Sequence, residues 1–525
     1  MRRLYLLLTS LALAAGLGLA DDTIKTSSPK PATLKTPAPK PLEEVWEAAY
    51  VRNDAGTDVK IGHVHMTSVP VEKDGQKLIR TTKELRLVVG RADAKAEMKA
   101  DVSSDEDADG KVQAITAKIW LGKDKVQKID CEVLEGNKVR VTAGVGAVEP
   151  RVFNWDPANV GLAREQTLLR DKKVKPGDAF TYRYYEVTVT HPVTVRVAVK
   201  DLEEVPLPGG VKRKLLKVVA TPDALTVSNG AKLQMPAGTF WADPVSYDTI
   251  KTEMDIPEIG KVSLIRTSKV AALAPNGQVP DLMKRQSIYL KAAIPDMHDR
   301  DAIVYRVTFQ GDAQPKELVA TDARQAIRNV NGKSFELAMT ARRGAVTGGA
   351  DEKAGPEFLR SNYFINSDDA EVKKLATRAV GRETDPWKKA QKIEGFVREF
   401  MRPADYTEAM APADHVAKTR TGDCTEYAML TAAMCRAAGV PSRTAIGLVY
   451  VNNLLGRPAL AFHMWTEVHV NGQWLGLDAT LGRGSIGPGH IKITDHSWDG
   501  VISFTPLLPV KGFIMANPTI EVVGK

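Results

Sequence analysis

The sequence predicts an α+β protein in which a β-rich N-terminal region precedes a C-terminal part where helices come first and antiparallel strands second. Three observations carry this. From Glu43 to about Ala274, apolar and polar residues alternate in short runs such as 60–69, 83–90, 180–190 and 193–200. Turn signals separate them at Asp74-Gly75, Asp109-Gly110 and Gly136-Asn137, the pattern of half-buried strands in a long meander or two stacked units. From Asn362 the period becomes helical, with Trp387, Ala390, Ile393, Phe396, Val397 and Phe400 on one face. After Pro441 it returns to strands over 443–451, 461–470, 473–478 and later 520–523.

Taken in order, the chain opens with Met1-Arg2-Arg3, an apolar run to Leu19, and Ala20, the pattern of a secretory signal peptide over residues 1–20. Residues 21–42 form a Pro/Lys/Thr-rich linker. The β-rich region then spans 43–285 as one or two units, a small β domain 286–355, and the α+β part 356–525. No later stretch approaches the ~18 consecutive apolar residues of a spanning helix. The expectation is therefore an exported protein, periplasmic or secreted, without a transmembrane segment. The net charge of +8 does not point to nucleic acid, because signal and linker together account for half of it and no basic stripe is present. Three cysteines in 525 residues make no disulfide framework. Cys131 and Cys435 read as buried structural residues.

Two polar clusters read as loops. Asp105-Glu106-Asp107-Ala108-Asp109-Gly110 imitates the start of a calcium loop, but its twelfth position is Thr116 where a bidentate Glu is needed, and strands flank it. It is expected to be a solvated hairpin tip. Asp296, His298 and Asp299 are too few for a metal site and read as polar loop residues. In the second β block, runs at 286–293, 302–310, 317–320 and 334–340 are expected strands, with Asn331-Gly332 as a hairpin turn. In the helical part, Ser367 or Asp368 is expected to cap a helix to about Val380, and Asp385-Pro386 to open the next.

The chemistry centres on Gly422-Asp423-Cys424-Thr425-Glu426. Asp423 reads as a helix N-cap and Glu426, three residues on, completes a capping box. Cys424 is then the first helical residue, where unpaired N–H groups and the helix dipole favour thiolate. In 462–470 one strand face carries His463, Trp465, Glu467 and His469, and Asn471-Gly472 turns the chain back into 473–480. With a two-residue turn, residue 470 faces 473 and 465 faces 478, so Asp478 lies diagonal to His463 on the same face. That supplies a nucleophile, a base and an orienter: Cys424, His463 and Asp478. The backbone N–H of Cys424 is one oxyanion donor; a second is not assigned. Trp465 is expected to pack over the pair, and His469 and His415 to be structural or surface residues. A metal site of Cys424, His463 and Asp478 is possible by ligand type, but no second Cys or His stands at ligand spacing, so neither metal nor cofactor is assigned.

Gly422-Asp423-Cys424-Thr425-Glu426-Tyr427, Gly439-Val440-Pro441-Ser442-Arg443, Phe462-His463-Met464-Trp465 and Leu477-Asp478-Ala479-Thr480 together resemble the transglutaminase-like superfamily, over about residues 360–485. The resemblance implies a papain-like cysteine-enzyme core in 356–525 with the triad at Cys424, His463 and Asp478. Members transfer acyl groups from glutamine to amines, hydrolyse peptide or other amide bonds, or have lost catalysis. The expected function is thus thiol-dependent acyl transfer or hydrolysis on amide bonds of a protein or peptide substrate outside the cytoplasm. The alternative is a non-catalytic binding or scaffold protein of the cell envelope with a relic core.

Overall fold

The alternating segments of the N-terminal half become one antiparallel sheet. The structure is a computed structural model that describes residues 41–524 except 54–55, 92–93, 121–125, 144–149, 227–231, 234, 236, 257–258, 280, 282–286, 345–352, 403–409 and 502–504. The expected signal peptide and nearly all of the expected linker lie outside the described residues. Strands β1 (Glu43–Arg52), β2 (Asp58–Lys73), β3 (Gln76–Arg91), β4 (Ala94–Glu106), β5 (Val112–Trp120), β6 (Val126–Leu134), β7 (Lys138–Ala143) and β8 (Arg151–Asn154) form a meander. It continues through β9 (Ala179–Glu186), β10 (His191–Pro206), β11 (Lys212–Pro222), β14 (Gly238–Ala242), β15 (Thr249–Ile256) and β16 (Gly260–Thr267), while β12 (Leu225–Thr226) and β13 (Lys232–Leu233) pair separately. Among the described residues the large sheet has 14 strands, with β1 joined to β16 at its centre. In β10, Val193, Val195, Val197 and Val199 are buried and alternate with more exposed residues. Each such burial stabilises by about 1.5–3 kcal/mol, which is what drives the period of two.

A helix that the alternation gave no sign of, α1 (Leu162–Asp171), packs against this sheet. Its start is held from across the chain: Ser104 Oγ accepts from Leu162 N at 2.7 Å, and the Glu106 carboxylate accepts from Ala163 N and Arg164 N at 2.8 and 2.9 Å. The acidic run, expected as a solvated hairpin tip, is one only at Ala108 and Asp109, which are exposed; Asp105 and Glu106 are buried with partners. Asp105 pairs with Arg80 at 2.6 Å, Glu106 caps α1, and Asp107 closes the hairpin by accepting from Asp109 N and Lys111 N. A short helix α2 (Lys269–Leu273) follows β16, capped by Ser268.

The second half is built on two smaller sheets. One has the order β19-β20-β18-β25 (Gln325–Asn331, Ser334–Thr340, Ala302–Thr308, Thr519–Gly524). The other is β17-β22-β21-β24 (Ile288–Tyr289, Arg457–Val470, Ser442–Leu454, His490–His496), with β23 (Gln473–Leu477) also on β22. Each sheet thus takes a strand from the other's stretch of sequence. The expected strand at 317–320 is instead helix α3 (Pro315–Leu318), opened by Pro at its first turn and by a capping box of Gln314 with Glu317. Strand β19 was not expected, and the hairpin that follows it turns on Gly332-Lys333, one residue later than predicted. Helices α4 (Ala370–Val380), α5 (Pro386–Phe400), α6 (Ala413–Thr419) and α7 (Cys424–Ala437) precede the second sheet, and α8 (Leu508–Met515) follows it. The cap of α4 is Asp369, one or two residues later than expected, because its carboxylate reaches Glu371 N and Val372 N. Among the described residues no helix is long and apolar enough to cross a membrane.

The sheets meet through a buried ion network. Lys492 of β24 contacts Asp322 at 2.5 Å, Glu467 at 3.2 Å and Asp495 at 3.3 Å, and Arg443 contacts Glu467 at 2.8 Å and Asp495 at 2.9 Å. In β21, Gly447 stands opposite His463, and a Cβ there would lie 1.9 Å from Ile491 O. Gly447→Ala is therefore expected to push β24 off β21 and cost about 1–3 kcal/mol, read as a lower urea midpoint.

Candidate functional site

The helix that carries Cys424 forms as its local sequence dictates. Asp423 Oδ1 accepts from Thr425 N at 3.0 Å, and Glu426 Oε2 accepts from Asp423 N at 2.9 Å, completing the capping box. Glu426 Oε1 also accepts from Ala411 N at 2.7 Å, tying the helix start to the chain before α6. Burial, and then the nearby Asp423, push the Glu426 carboxyl well above the usual range. Gly422 has φ 134°, and a Cβ there would sit 2.2 Å from Glu426 Cγ, so only glycine lets this carboxylate fold back. The helix is buried on nearly every side, packed by α4, α5, α6 and strands β21 and β22.

Two hydrogen bonds set the helix against the strands. Thr466 Oγ1 donates to Ala428 O at 3.0 Å, and Ser442 Oγ, opposite Val468 in register, donates to Ala432 O at 2.8 Å. Four helical residues rise roughly 6 Å, close to the rise of two strand residues. One such step back from Ala428 and Thr466 puts Cys424 level with Met464, the neighbour of His463. Cys424 is 2% exposed.

The hairpin that presents the imidazole and carboxylate has the predicted register. Val470 faces Gln473 and Thr466 faces Leu477, with Asn471 and Gly472 at φ 51° and 80°, both left-handed as a tight hairpin turn requires. His463 Nε2 lies 2.8 Å from Asp478 Oδ2, and both side chains are buried. Thr480 donates to Asp478 Oδ1 twice, from N at 3.0 Å and from Oγ1 at 2.6 Å. Burial alone would raise the Asp478 carboxyl, but the facing imidazoles of His463 and His490 hold it well below its ordinary value. A carboxylate only accepts, so His463 presents Nε2–H to it and keeps a lone pair on Nδ1. That Nδ1 is buried and, among the described residues, has no hydrogen-bond partner.

The structure adds residues that the sequence reading missed. His490 Nε2 also lies 3.0 Å from Asp478 Oδ2. Glu394 of α5 accepts from Asp478 N at 3.1 Å and from Gly484 N at 2.7 Å, holding the loop after β23; burial pushes its carboxyl up to about 7. A signal for His490 is present in the sequence: His490, Lys492 and Thr494 alternate with Ile491 and Ile493, the pattern of a strand. Trp465 stacks along His463 with ring centres 6.5 Å apart and meets His490 edge-on at 5.2 Å. His298, expected as a plain loop residue, packs against Gly487 and Gly489 and meets His490 edge-on at 5.7 Å, while Asp299 pairs with Arg483 at 2.6 Å. His469 packs edge-on to Trp474, and His415 lies on α6. Cys131 and Cys435 are buried, and burial pushes the Cys435 thiol up. None of the three cysteines forms a disulfide.

By ligand type His463, Asp478 and His490 could hold a metal, with candidate atoms within 4.8 Å of one another. The separations of 2.8 and 3.0 Å are hydrogen-bond lengths, shorter than the roughly 3.3 Å between ligands of a tetrahedral zinc, so the set fits shared protons better. A groove of about 700 Å³ opens beside β22, lined by Phe462, Phe513, Ile288, Tyr289 and Ile520; Cys424, His463 and Asp478 do not line it.

Comparisons with known proteins give the following likenesses. A search of the curated proteins returns no match. Among solved structures the chain is similar to a candidate cysteine protease from Cytophaga hutchinsonii, at 18% identity over 43% of this chain and 84% of that one, TM-score 0.25. It is similar to the periplasmic domain of TgpA from Pseudomonas aeruginosa, at 16% identity over 35% and 91%, TM-score 0.20. A beta-barrel-like protein from Brucella abortus, of a domain of unknown function, gives 12% identity over 43% and 95%, TM-score 0.33. The segment 373–479, which holds Cys424, His463 and Asp478, matches the family model of the transglutaminase-like superfamily.

Proposed function

We propose that the protein is a thiol-dependent acyl transferase or hydrolase acting on amide bonds of an exported or extracytoplasmic protein or peptide, with Cys424 as nucleophile, His463 as base and Asp478 as orienter. The observation that supports it most is the buried 2.8 Å His463–Asp478 contact, which leaves the Nδ1 lone pair open on the residue next to Met464, the strand residue level with the Cys424 helix start. His463 Nδ1 takes the thiol proton as sulfur attacks the carbonyl carbon, and the Cys424 N–H donates to the oxygen as it gains charge. The C–N bond then breaks, the proton passes from His463 to the leaving amine, and a thioester remains on Cys424. Water or a second amine attacks the thioester, gives its proton to His463, and the thiol is restored. Export from the cytoplasm, by residues 1–20, is part of the same proposal.

The non-catalytic binding reading draws on one observation, the 2% exposure of Cys424. Iodoacetamide separates the two. Wild type is expected to be alkylated at Cys424 near neutral pH and to incorporate a primary amine into a casein-like acceptor or release new N-termini; Cys424→Ala is expected to do neither. Wild type that is neither labelled nor active would sink the enzyme reading. New N-termini identify a protease, amine adducts or isopeptides a transferase.

A further inference from the structure

Asp478 accepts from more groups than a three-residue site requires. Its Oδ1 takes both Thr480 donors, and its Oδ2 takes two imidazoles, His463 at 2.8 Å and His490 at 3.0 Å. His490 is 1% exposed and, among the described residues, its Nδ1 has no hydrogen-bond partner, so the polar contact its ring makes there is the one to Asp478. Several features hold the ring there. It stands on β24 opposite Val449, Trp465 meets it edge-on, and Gly489 beside it lets the His298 ring approach, where a Cβ would lie 3.2 Å from His298 Nδ1.

We propose that His490 is a positioning residue: it donates Nε2–H to the same Asp478 oxygen as His463, fixes the carboxylate's plane, and divides its charge so that His463 is held as the Nε2–H tautomer without being made excessively basic. This rests on the triad reading. Four donors on two oxygens leave the carboxylate no freedom to rotate away from His463. The shared oxygen attracts the His463 imidazolium less than an unshared one would, since part of its charge is already engaged. His490 itself stays neutral, because burial pushes its imidazole down to about 4 even though Asp478 pulls the other way. His490 therefore takes up no proton near neutral pH and stays a donor to Asp478 through Nε2–H. The other charged or titratable groups on this cluster are Glu394 and Arg398 of α5, His298 with its Arg483–Asp299 neighbours, and Arg324, whose Nη2 donates to His490 O at 3.2 Å. Replacing His490 leaves all of them in place.

The test uses the full chain with ¹⁵N-labelled histidine. In wild type both His463 and His490 are expected as Nε2–H tautomers at pH 7, with His490 unprotonated down to pH 5. His490→Phe is expected to raise the His463 midpoint by about one pH unit, a tenfold change in its protonation equilibrium, and to lower turnover. His490→Gln, whose amide N–H occupies nearly the place of Nε2–H, is expected to return both toward wild type; His490→Asn, one bond shorter, is expected not to. An Nδ1–H tautomer at either ring in wild type overturns the inference, a result that needs no variant to fold. So do Phe and Gln variants with an unchanged His463 midpoint and equal loss of thermal stability, which is the signature of packing alone. Failure of Cys424 to react would remove the triad reading while the tautomers still report on His490.

Discussion

Asp478→Asn is expected to lower turnover by about 10³–10⁴-fold while leaving the protein folded. The reason lies in acceptor count. In the native site both carboxylate oxygens accept, Oδ1 from Thr480 and Oδ2 from His463 and His490. An asparagine has one oxygen and one NH₂. If the oxygen stays with Thr480, the NH₂ faces two imidazole nitrogens that must now be acceptors, so each ring moves its proton to Nδ1. His463 then has no lone pair on the nitrogen assigned to take the thiol proton. Steady-state turnover at pH 7 and ¹⁵N histidine spectra check this together: lost activity with both rings as Nδ1–H supports it. Retained activity, or lost activity with His463 still Nε2–H, refutes the tautomer argument. The comparison with His490→Phe is informative, because that change removes a donor and leaves Asp478 an acceptor, so a much smaller loss is expected.

Lys492→Met is expected to destabilise the protein by about 3–5 kcal/mol in urea unfolding. Lys492 is the cation on which Asp322, Glu467 and Asp495 converge, and it is 1% exposed. Methionine fills similar volume but leaves Glu467 and Asp495 with Arg443 as the remaining cation in direct contact among the described residues, and Asp322 with only the more distant pull of Arg324. A loss under 1 kcal/mol would mean that the network relaxes to water and does not join the two sheets. The same network sets an acid limit. Despite burial, Lys492 and Arg324 hold the Asp322 carboxyl down to about 2. Its folded value thus lies below the unfolded value of about 3.9, so its contribution is complete above about pH 5 and is lost as pH falls from about 4 to about 2. Asp495 works in the opposite sense, since burial raises its carboxyl. In Lys492→Met the part of acid destabilisation that belongs to Asp322 is expected to disappear, which a urea series between pH 2 and pH 6 measures.

Strand alternation, the capping box at Asp423 and Glu426, and the Asn471-Gly472 turn were legible because each is set by residues a few positions apart. Helix α1 was not, since the groups that satisfy its first N–H donors are Ser104 and Glu106, nearly sixty residues earlier. The run 317–320 looked like a strand, yet Pro315 and the Gln314–Glu317 capping box make it a short helix. Asp296, His298 and Asp299 looked like an isolated loop until Gly487 and Gly489 were seen to admit His298 beside His490.

By itself the sequence determined the order of β-rich and α+β parts, the helix that begins at Cys424, and the hairpin register that joins His463 to Asp478. In each case periodicity, caps and a two-residue turn act over a few residues and leave one low-energy arrangement. Only the tertiary structure decided that the C-terminal strand β25 joins β18, that Lys492 ties the two smaller sheets together, and that a second histidine shares Asp478. Those outcomes depend on burial and on partners far apart in the chain, and a buried acceptor or cation takes whichever partners the packed sheets bring within about 3 Å.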